Sequence, residues 1–206
     1  DYQRITARIN NTYKVAKWLT FGLDAYWRRG NTDQPQHNPL YSATYVPKIY
    51  AGQWSDGTLS PGRDGTNPYG IVMYGGRNHQ VTDRFGGKFS IILNPFEGFS
   101  ITGVYSPGVV YTRVKNQQNK IGYYSIDDKS TFAGYLNGRD QSNLIEKRNY
   151  ESWCTKQLFL NYKKTFAEAH NADIMVGYED YYHHNYTLRA GTYNTVSYTH
   201  LRAHET

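Results

Sequence analysis

Apolar and polar residues alternate along several stretches of this chain with a period of two, the pattern of strands whose two faces meet different surroundings. In the first, Ile5, Ala7 and Ile9 fall on one face and Arg4, Thr6, Arg8, Asn10 and Thr12 on the other. After Lys14 to Lys17 the second is cleaner, with Leu19, Phe21, Leu23, Ala25 and Trp27 opposed by Thr20, Gly22, Asp24, Tyr26 and Arg28. The third sets Phe85, Gly87, Phe89, Ile91 and Leu93 against Arg84, Gly86, Lys88, Ser90 and Ile92, then meets Asn94-Pro95-Phe96-Glu97-Gly98, where a turn is expected. The fourth places Phe99, Ile101, Gly103 and Tyr105 opposite Ser100, Thr102, Val104 and Ser106. Pro107 cannot donate to a ladder, so it is expected to end or bulge that strand. A fifth, from about Trp153 to Tyr162, opposes Leu158, Leu160 and Tyr162 to Gln157, Phe159 and Asn161. The sixth opposes Ala172, Ile174, Val176 and Tyr178 to Asp173, Met175, Gly177 and Glu179, after a short connection around His170-Asn171. The expectation is six strands in three hairpins.

Connection lengths alternate short and long. Two long stretches, Asn31 to Gln80 and Lys115 to Tyr150, separate the hairpins, whereas structureless loops beyond about 12 to 15 residues are uncommon in compact domains. Outer-membrane barrels supply a reason: short periplasmic turns, long extracellular loops, strands of about 10 residues that alternate apolar-out and polar-in, and aromatic girdles at both interfaces. Tyr13, Trp18 and Phe99 fall at the short-turn ends and Trp27, Tyr105 and Tyr111 at the long-loop ends, as girdle residues would. A sandwich or propeller also alternates, but its strands recur every 8 to 12 residues or so with short connections at both ends. The fold class expected is therefore all-β, a transmembrane antiparallel β-barrel fragment with two long outer loops. Its lipid-facing residues would be Ile5, Ile9, Leu19, Phe21, Leu23, Phe89, Ile91 and Ile101. Arg4, Arg8, Asp24, Arg28, Arg84 and Lys88 would face the lumen.

Composition narrows the classes further. The best apolar run, Phe89 to Leu93, is far short of the 18 or so residues of a helical span. Disordered chains are poor in aromatics, and this one has 21 Tyr, 4 Trp and 8 Phe. The net charge of +6 would suit nucleic acid if it were clustered, but the cations are dispersed over the polar faces, where a solvated lumen accounts for them; no nucleic-acid partner is expected. A single cysteine, Cys154, rules out an internal disulfide.

The ends are read separately. The chain opens at Asp1 inside what already reads as a structural element, so any secretory leader is expected upstream. Val196 to Thr206 is the translation of a transposon-end sequencing adapter, residue for residue. Residues 196–206 are therefore expected to be a non-native tail, and residues 1–195 a partial barrel domain.

Three blocks of residues resemble one family. Tyr2-Gln3-Arg4-Ile5, Lys17-Trp18-Leu19 with Gly22, and Asn31-Thr32-Asp33 make the first. The second holds Asn67-Pro68, Arg84, Gly87-Lys88, Asn94-Pro95-Phe96-Glu97-Gly98-Phe99-Ser100, Gly103 and Tyr105-Ser106. The third is Leu160 to Phe166 with His170-Asn171 and Gly177-Tyr178-Glu179. In order and spacing they resemble barrel hairpins of SusC/RagA-type TonB-dependent outer-membrane transporters. The resemblance implies a 22-stranded barrel plugged by an N-terminal domain, in the outer membrane of a Gram-negative bacterium. It implies import of glycans or peptides driven through TonB, and pairing with a SusD-like surface lipoprotein. Plug and TonB-contacting segments would lie outside this piece.

Other chemistry is weighed residue by residue. Adjacent His183 and His184 near Glu179 and Asp180 lack the ligand spacing of zinc sites and point to opposite faces of a strand; they are expected where the sixth strand enters its outer loop. His200 and His204 belong to the tail. Asp127-Asp128, Asp56-Gly57 and Asp64-Gly65 miss the calcium-loop spacing and read as turns. Cys154 is read as a free thiol on a strand. No catalytic residue, metal or cofactor is expected. Tyr41, Tyr45, Tyr50, Trp54, Tyr69 and Tyr74 of the first long loop are candidates for stacking on a sugar or peptide, or for packing the loop on itself. The alternative functions are a soluble all-β carbohydrate-binding module and a β-rich hydrolase fragment. Burial of Phe21, Leu23, Phe89 and Ile91 beneath a second sheet would favour the module; exposure as an outward band would favour the transporter.

Overall fold

Six long strands form one antiparallel sheet in which every neighbour in space is also the next long strand in the chain. The computed structural model describes residues 1–166 and 170–194. In chain order its elements are β1 (Tyr2–Ala16), β2 (Leu19–Pro35), α1 (Pro39–Tyr45), α2 (Pro68–Tyr74), β3 (Arg77–Phe96) and β4 (Phe99–Gln118). β5 (Gly122–Tyr124), β6 (Phe132–Tyr135), a 3₁₀ turn at Leu136–Gly138, β7 (Asn143–Phe166) and β8 (His170–Tyr193) follow. The sheet runs β1-β2-β3-β4-β7-β8, and β5 pairs with β6 in a separate hairpin. Among the described residues no helix is long and apolar enough to cross a membrane. The six expected strands and their three hairpins are present; the tail expected at 196–206 lies outside the described residues.

Four boundaries differ from expectation, each for a physical reason. The strands run 15 to 24 residues, well beyond about 10, because a strand continues wherever backbone groups find partners, whatever its side chains. Thus the polar stretches Asn31–Gln34 and Asn78–Val81 pair with each other although nothing in them alternates. The long connections shrink accordingly to residues 36–76 and 119–142. Pro107 neither ends nor bulges β4: it lies opposite Cys154 in an unbroken β4–β7 ladder, and toward β3 pairing lapses between Gly86–Gly108 and Phe89–Tyr105 and resumes in the same register. The missing N–H is absorbed at that lapse. The second turn is only Glu97–Gly98, with Gly98 at φ +81°, and Asn94 to Phe96 belong to an irregular end of β3. His170 and Asn171 lie in β8, not in a connection.

Register carries each alternation into the next strand. Phe21 lies opposite Tyr13 and Ile91, Leu23 opposite Phe89, and Phe89 opposite Tyr105; Ile101 lies opposite Leu93 and Leu160. One face of the sheet is therefore apolar from β1 to β8. Among the described residues nothing covers it: Phe21 is 40%, Leu23 38%, Phe89 49% and Ile91 44% exposed. Ring pairs mark it at two levels, Phe96 with Phe99 at the turn end and Trp27 with Phe85 and Tyr111 with Tyr150 toward the loops. The face is not wholly apolar, since Lys156 and Asp180 form an ion pair of 3.3 Å on it.

Candidate functional site

The opposite face gathers the charged positions. Arg8 bonds Asp24 through two nitrogens, Asn10 reaches the same carboxylate at 3.5 Å, and Lys88 stands opposite Asp24 on β3. Arg4 lies on this face of β1, opposite Gly30. Arg28 and Arg84 lie directly opposite each other, and like charges so placed repel. Arg84 escapes that contact by lying over the Trp153 indole, 5.8 Å from the ring centroid, where the ring face offsets its charge.

Trp153 is part of an aromatic platform that the alternation did not single out. The row Tyr26, Gly86, Gly108, Trp153, His183 crosses five strands. Two glycines at its centre leave room for rings to lie flat on the backbone. A Cβ at Gly86 would sit 2.5 Å from the Tyr26 ring, and one at Gly108 2.3 Å from Trp153. His183 contacts Glu151 at 3.1 Å and stacks on Tyr181. The one sequence signal was aromatic residues at polar-face positions. His183 and His184 sit well inside β8 rather than at its loop end, and His184 turns to the other face near Tyr150. Such a floor of rings edged by Arg84, Glu151 and Lys88 can stack a planar or sugar-like group and bond its polar rim.

At the loop end, residues 36–76 and 119–142 fold into a body of their own. Leu59, Ile71 and Leu136 are its buried apolar residues. Asn67 organises it: 1% exposed, it caps α2 by accepting from the Gly70 N–H at 3.1 Å and donates to the carbonyls of Gly52 and Ser60 at 2.6 and 2.9 Å. Asn38 caps α1 in the same manner through the Leu40 N–H.

The six loop aromatics divide. Tyr45 donates to Asp64 at 3.1 Å beneath the Arg63 guanidinium, Trp54 donates to the Tyr124 carbonyl, and Tyr69 covers Gly52 and donates to Gln53. Those three pack the loop on itself. Tyr41, Tyr50 and Tyr74 are exposed, as Tyr45 and Tyr69 are in spite of their bonds.

The aspartates expected in turns hold turns. The carboxylates of Asp56 and Asp128 accept from the N–H groups of Thr58 and Ser130, and both are held below the usual carboxylate range by those Thr58 bonds and by the Ser130 and Thr131 hydroxyls. Asp64 adopts φ +51°. His37, at the base of the loop body, is pushed below the ordinary imidazole value by burial and by nearby Arg139. Among the described residues no group of three His, Cys, Asp or Glu side chains is placed to hold a metal ion. Cys154 is a free thiol on β7.

No family model and no curated protein sequence matches the chain. Solved structures do. The chain is similar in fold to a chain of the RagAB peptide importer in its closed-closed state, with a TM-score of 0.63 and 14% identity over 96% of this chain. It matches the open-open state at 0.63 and 15% over 93%, and the RagAB peptide transporter at 0.64 and 15% over 96%. It spans only 21 to 22% of the length of those chains.

Proposed function

We propose that this chain is a segment of the wall of a SusC/RagA-type TonB-dependent transporter in the outer membrane of a Gram-negative bacterium, and that its part in the protein is transport and not catalysis. The observation that carries the reading is the uncovered apolar face shared by six consecutive strands, with both folded excursions at one end and tight turns at the other. Soluble monomers seldom expose apolar patches beyond a few hundred Å², and a barrel wall satisfies its backbone within the sheet while turning such a face to lipid. The similarity in fold to RagAB importer chains supports the same reading, and those neighbours are transporters.

On this reading Ile5, Ile9, Leu19, Phe21, Leu23, Phe89, Ile91 and Ile101 face lipid, and Arg4, Arg8, Asp24, Arg28, Arg84 and Lys88 face the lumen or the plug within it. The loop body, with Tyr41, Tyr50 and Tyr74 exposed, stands outside the cell where a SusD-like lipoprotein and a glycan or peptide would meet it. TonB acts through parts of the protein beyond this segment. A carbohydrate-binding module would need a second layer over Phe21, Leu23, Phe89 and Ile91, and among the described residues none covers them.

The test uses the full-length protein in bilayers, with single spin labels at Lys88, Phe89, Ser90 and Ile91. Labels at Phe89 and Ile91 are expected to be relaxed by oxygen, which partitions into lipid, and those at Lys88 and Ser90 by a water-soluble relaxant. Equal access of water to all four sinks the proposal. Uptake of labelled oligosaccharides against labelled oligopeptides, in cells with and without the gene, then separates the two substrate classes.

A further inference from the structure

One cluster on the apolar face is charged. Asp83 of β3 is 7% exposed, yet it lies on the same face as Phe85 and Phe89. Arg29 donates to it from two nitrogens at 2.7 and 3.0 Å, Arg113 at 3.3 Å and the Trp27 indole at 3.4 Å. Arg148 stands directly opposite Arg113 on β7, exposed, and makes no ion pair among the described residues. Two guanidiniums thus bond one carboxylate and a third stands beside them, so these four side chains keep a net charge of +2.

Beside them Phe85, Tyr111, Tyr150, Tyr186 and Leu188 line an open groove of about 460 Å³, in which the three tyrosines share the row of Arg29 and Asp83, Leu188 that of Arg113 and Arg148, and Phe85 lies nearer the turns. Its depth follows from the register. Tyr111 is twelve residues on from Phe99 in β4, which at about 3.3 Å per residue and a tilt near 40° lifts it roughly 30 Å above the turn end, past an apolar band about 25 Å tall. A largely apolar groove edged by three guanidiniums that share one carboxylate, at the level of the headgroups, fits an anionic amphiphile. Arginine forks match phosphate oxygens bidentately.

We propose that this groove binds the phosphorylated headgroup of an outer-leaflet lipid, with the phosphate on Arg113 and Arg148, the rest of the headgroup against the tyrosine rings and an acyl chain running down past Phe85 into the apolar band. The site rests on the reading of the apolar face as lipid-facing. Asp83 acts as a positioning residue: it anchors Arg29 and Arg113, and it keeps the cluster from repelling itself.

The full-length protein, delipidated in detergent, is titrated by native mass spectrometry with bis-phosphorylated lipid A, with its dephosphorylated form, and with lipid A in the presence of inorganic phosphate. R148Q breaks no ion pair and is the primary variant; R113Q/R148Q extends it, and R189Q, on the opposite face, is the control. Retention of the phosphorylated lipid is expected to fall about fivefold in R148Q and about thirtyfold in the double variant, at the worth of one basic side chain each near a lipid surface. R148K is expected to recover part of the loss and R189Q to bind as the parent does. Unchanged retention in both Gln variants, or equal retention of the dephosphorylated lipid, overturns the site. Displacement of the lipid by equimolar inorganic phosphate makes it a free-phosphate site and overturns the lipid assignment. Failure of the lipid face itself is separate, since it shows as water access to spin labels at Phe89 and Ile91.

Discussion

Trp153 lays its indole across the backbone of Gly108, so close that a Cβ there would meet the ring at 2.3 Å. The two residues are opposite partners on β7 and β4, and the missing side chain of one is the seat of the other. Gly103, on the same strand, has nothing within 4 Å of its own Cβ position.

The pair makes a controlled prediction. Gly108→Ala has to displace the ring, and overpacking of this kind costs about 1 to 3 kcal/mol. In the full-length protein, G108A is expected to lower the melting temperature and shift the tryptophan emission, and G103A to do neither. Equal behaviour of the two variants would show that the platform is not packed as described.

Asn67 is the second. Removing its side chain takes away a helix cap worth about 1 kcal/mol, leaves the buried Ser60 carbonyl without its partner at about 1 to 3 kcal/mol, and leaves the Gly52 carbonyl only the long bond from the Ser60 N–H at 3.4 Å. Asn67→Ala is expected to open residues 36–76 to protease and to hydrogen exchange while β3 and β4 stay protected. The readout is limited proteolysis followed by peptide mass mapping.

Acidification should loosen the loop body in two stages. The imidazole of His37 is depressed, so the folded form disfavours its proton and the unfolded chain binds more of it. Stability is therefore full above about pH 6.5 and declines as pH falls toward the folded value. Asp56 and Asp128 are depressed carboxylates, whose contribution is present above about pH 3.9 and lost below it. Hydrogen exchange of the loop at pH 7.5, 5.5 and 3.5 reads both steps, and His37→Gln is expected to remove only the first.

Cys154 offers a probe that needs no mutation. It lies opposite Pro107 and Tyr182 on the apolar face, half-buried. In intact cells both an apolar and a charged, membrane-impermeant maleimide are expected to leave it untouched, because the attacking thiolate does not form in lipid, and denaturation in SDS is expected to open it to both. Rapid labelling by the charged reagent counts against a lipid-facing position.

How much of this was legible beforehand follows from which forces each feature depends on. Alternation reports the two environments of a strand, so Phe21, Leu23, Phe89 and Ile91 could be assigned to one face and Asp24 and Lys88 to the other from the chain alone. Because the hairpins are local, their pairing was legible too. Strand length was not, since the polar arms of β2 and β3 are held by backbone bonds that leave no trace in side-chain pattern. Pro107 misled for the same reason: whether its missing N–H matters depends on what lies beside it, here a lapse in pairing with β3. The loop aromatics were legible as a group but not one by one, because Trp54 is engaged by a carbonyl 70 residues away.

The sequence by itself thus determined the class of fold, the two faces and the side on which the long excursions lie, since these follow from period, turn chemistry and connection length. Only the tertiary structure decided which residues meet across strands. Arg29 and Asp83 are separated by 54 residues, Tyr26 and Trp153 by more, and their neighbourhood is set by register, a property of paired backbones that no single strand contains. Both the ring platform on one face and the arginine cluster on the other are made in that way.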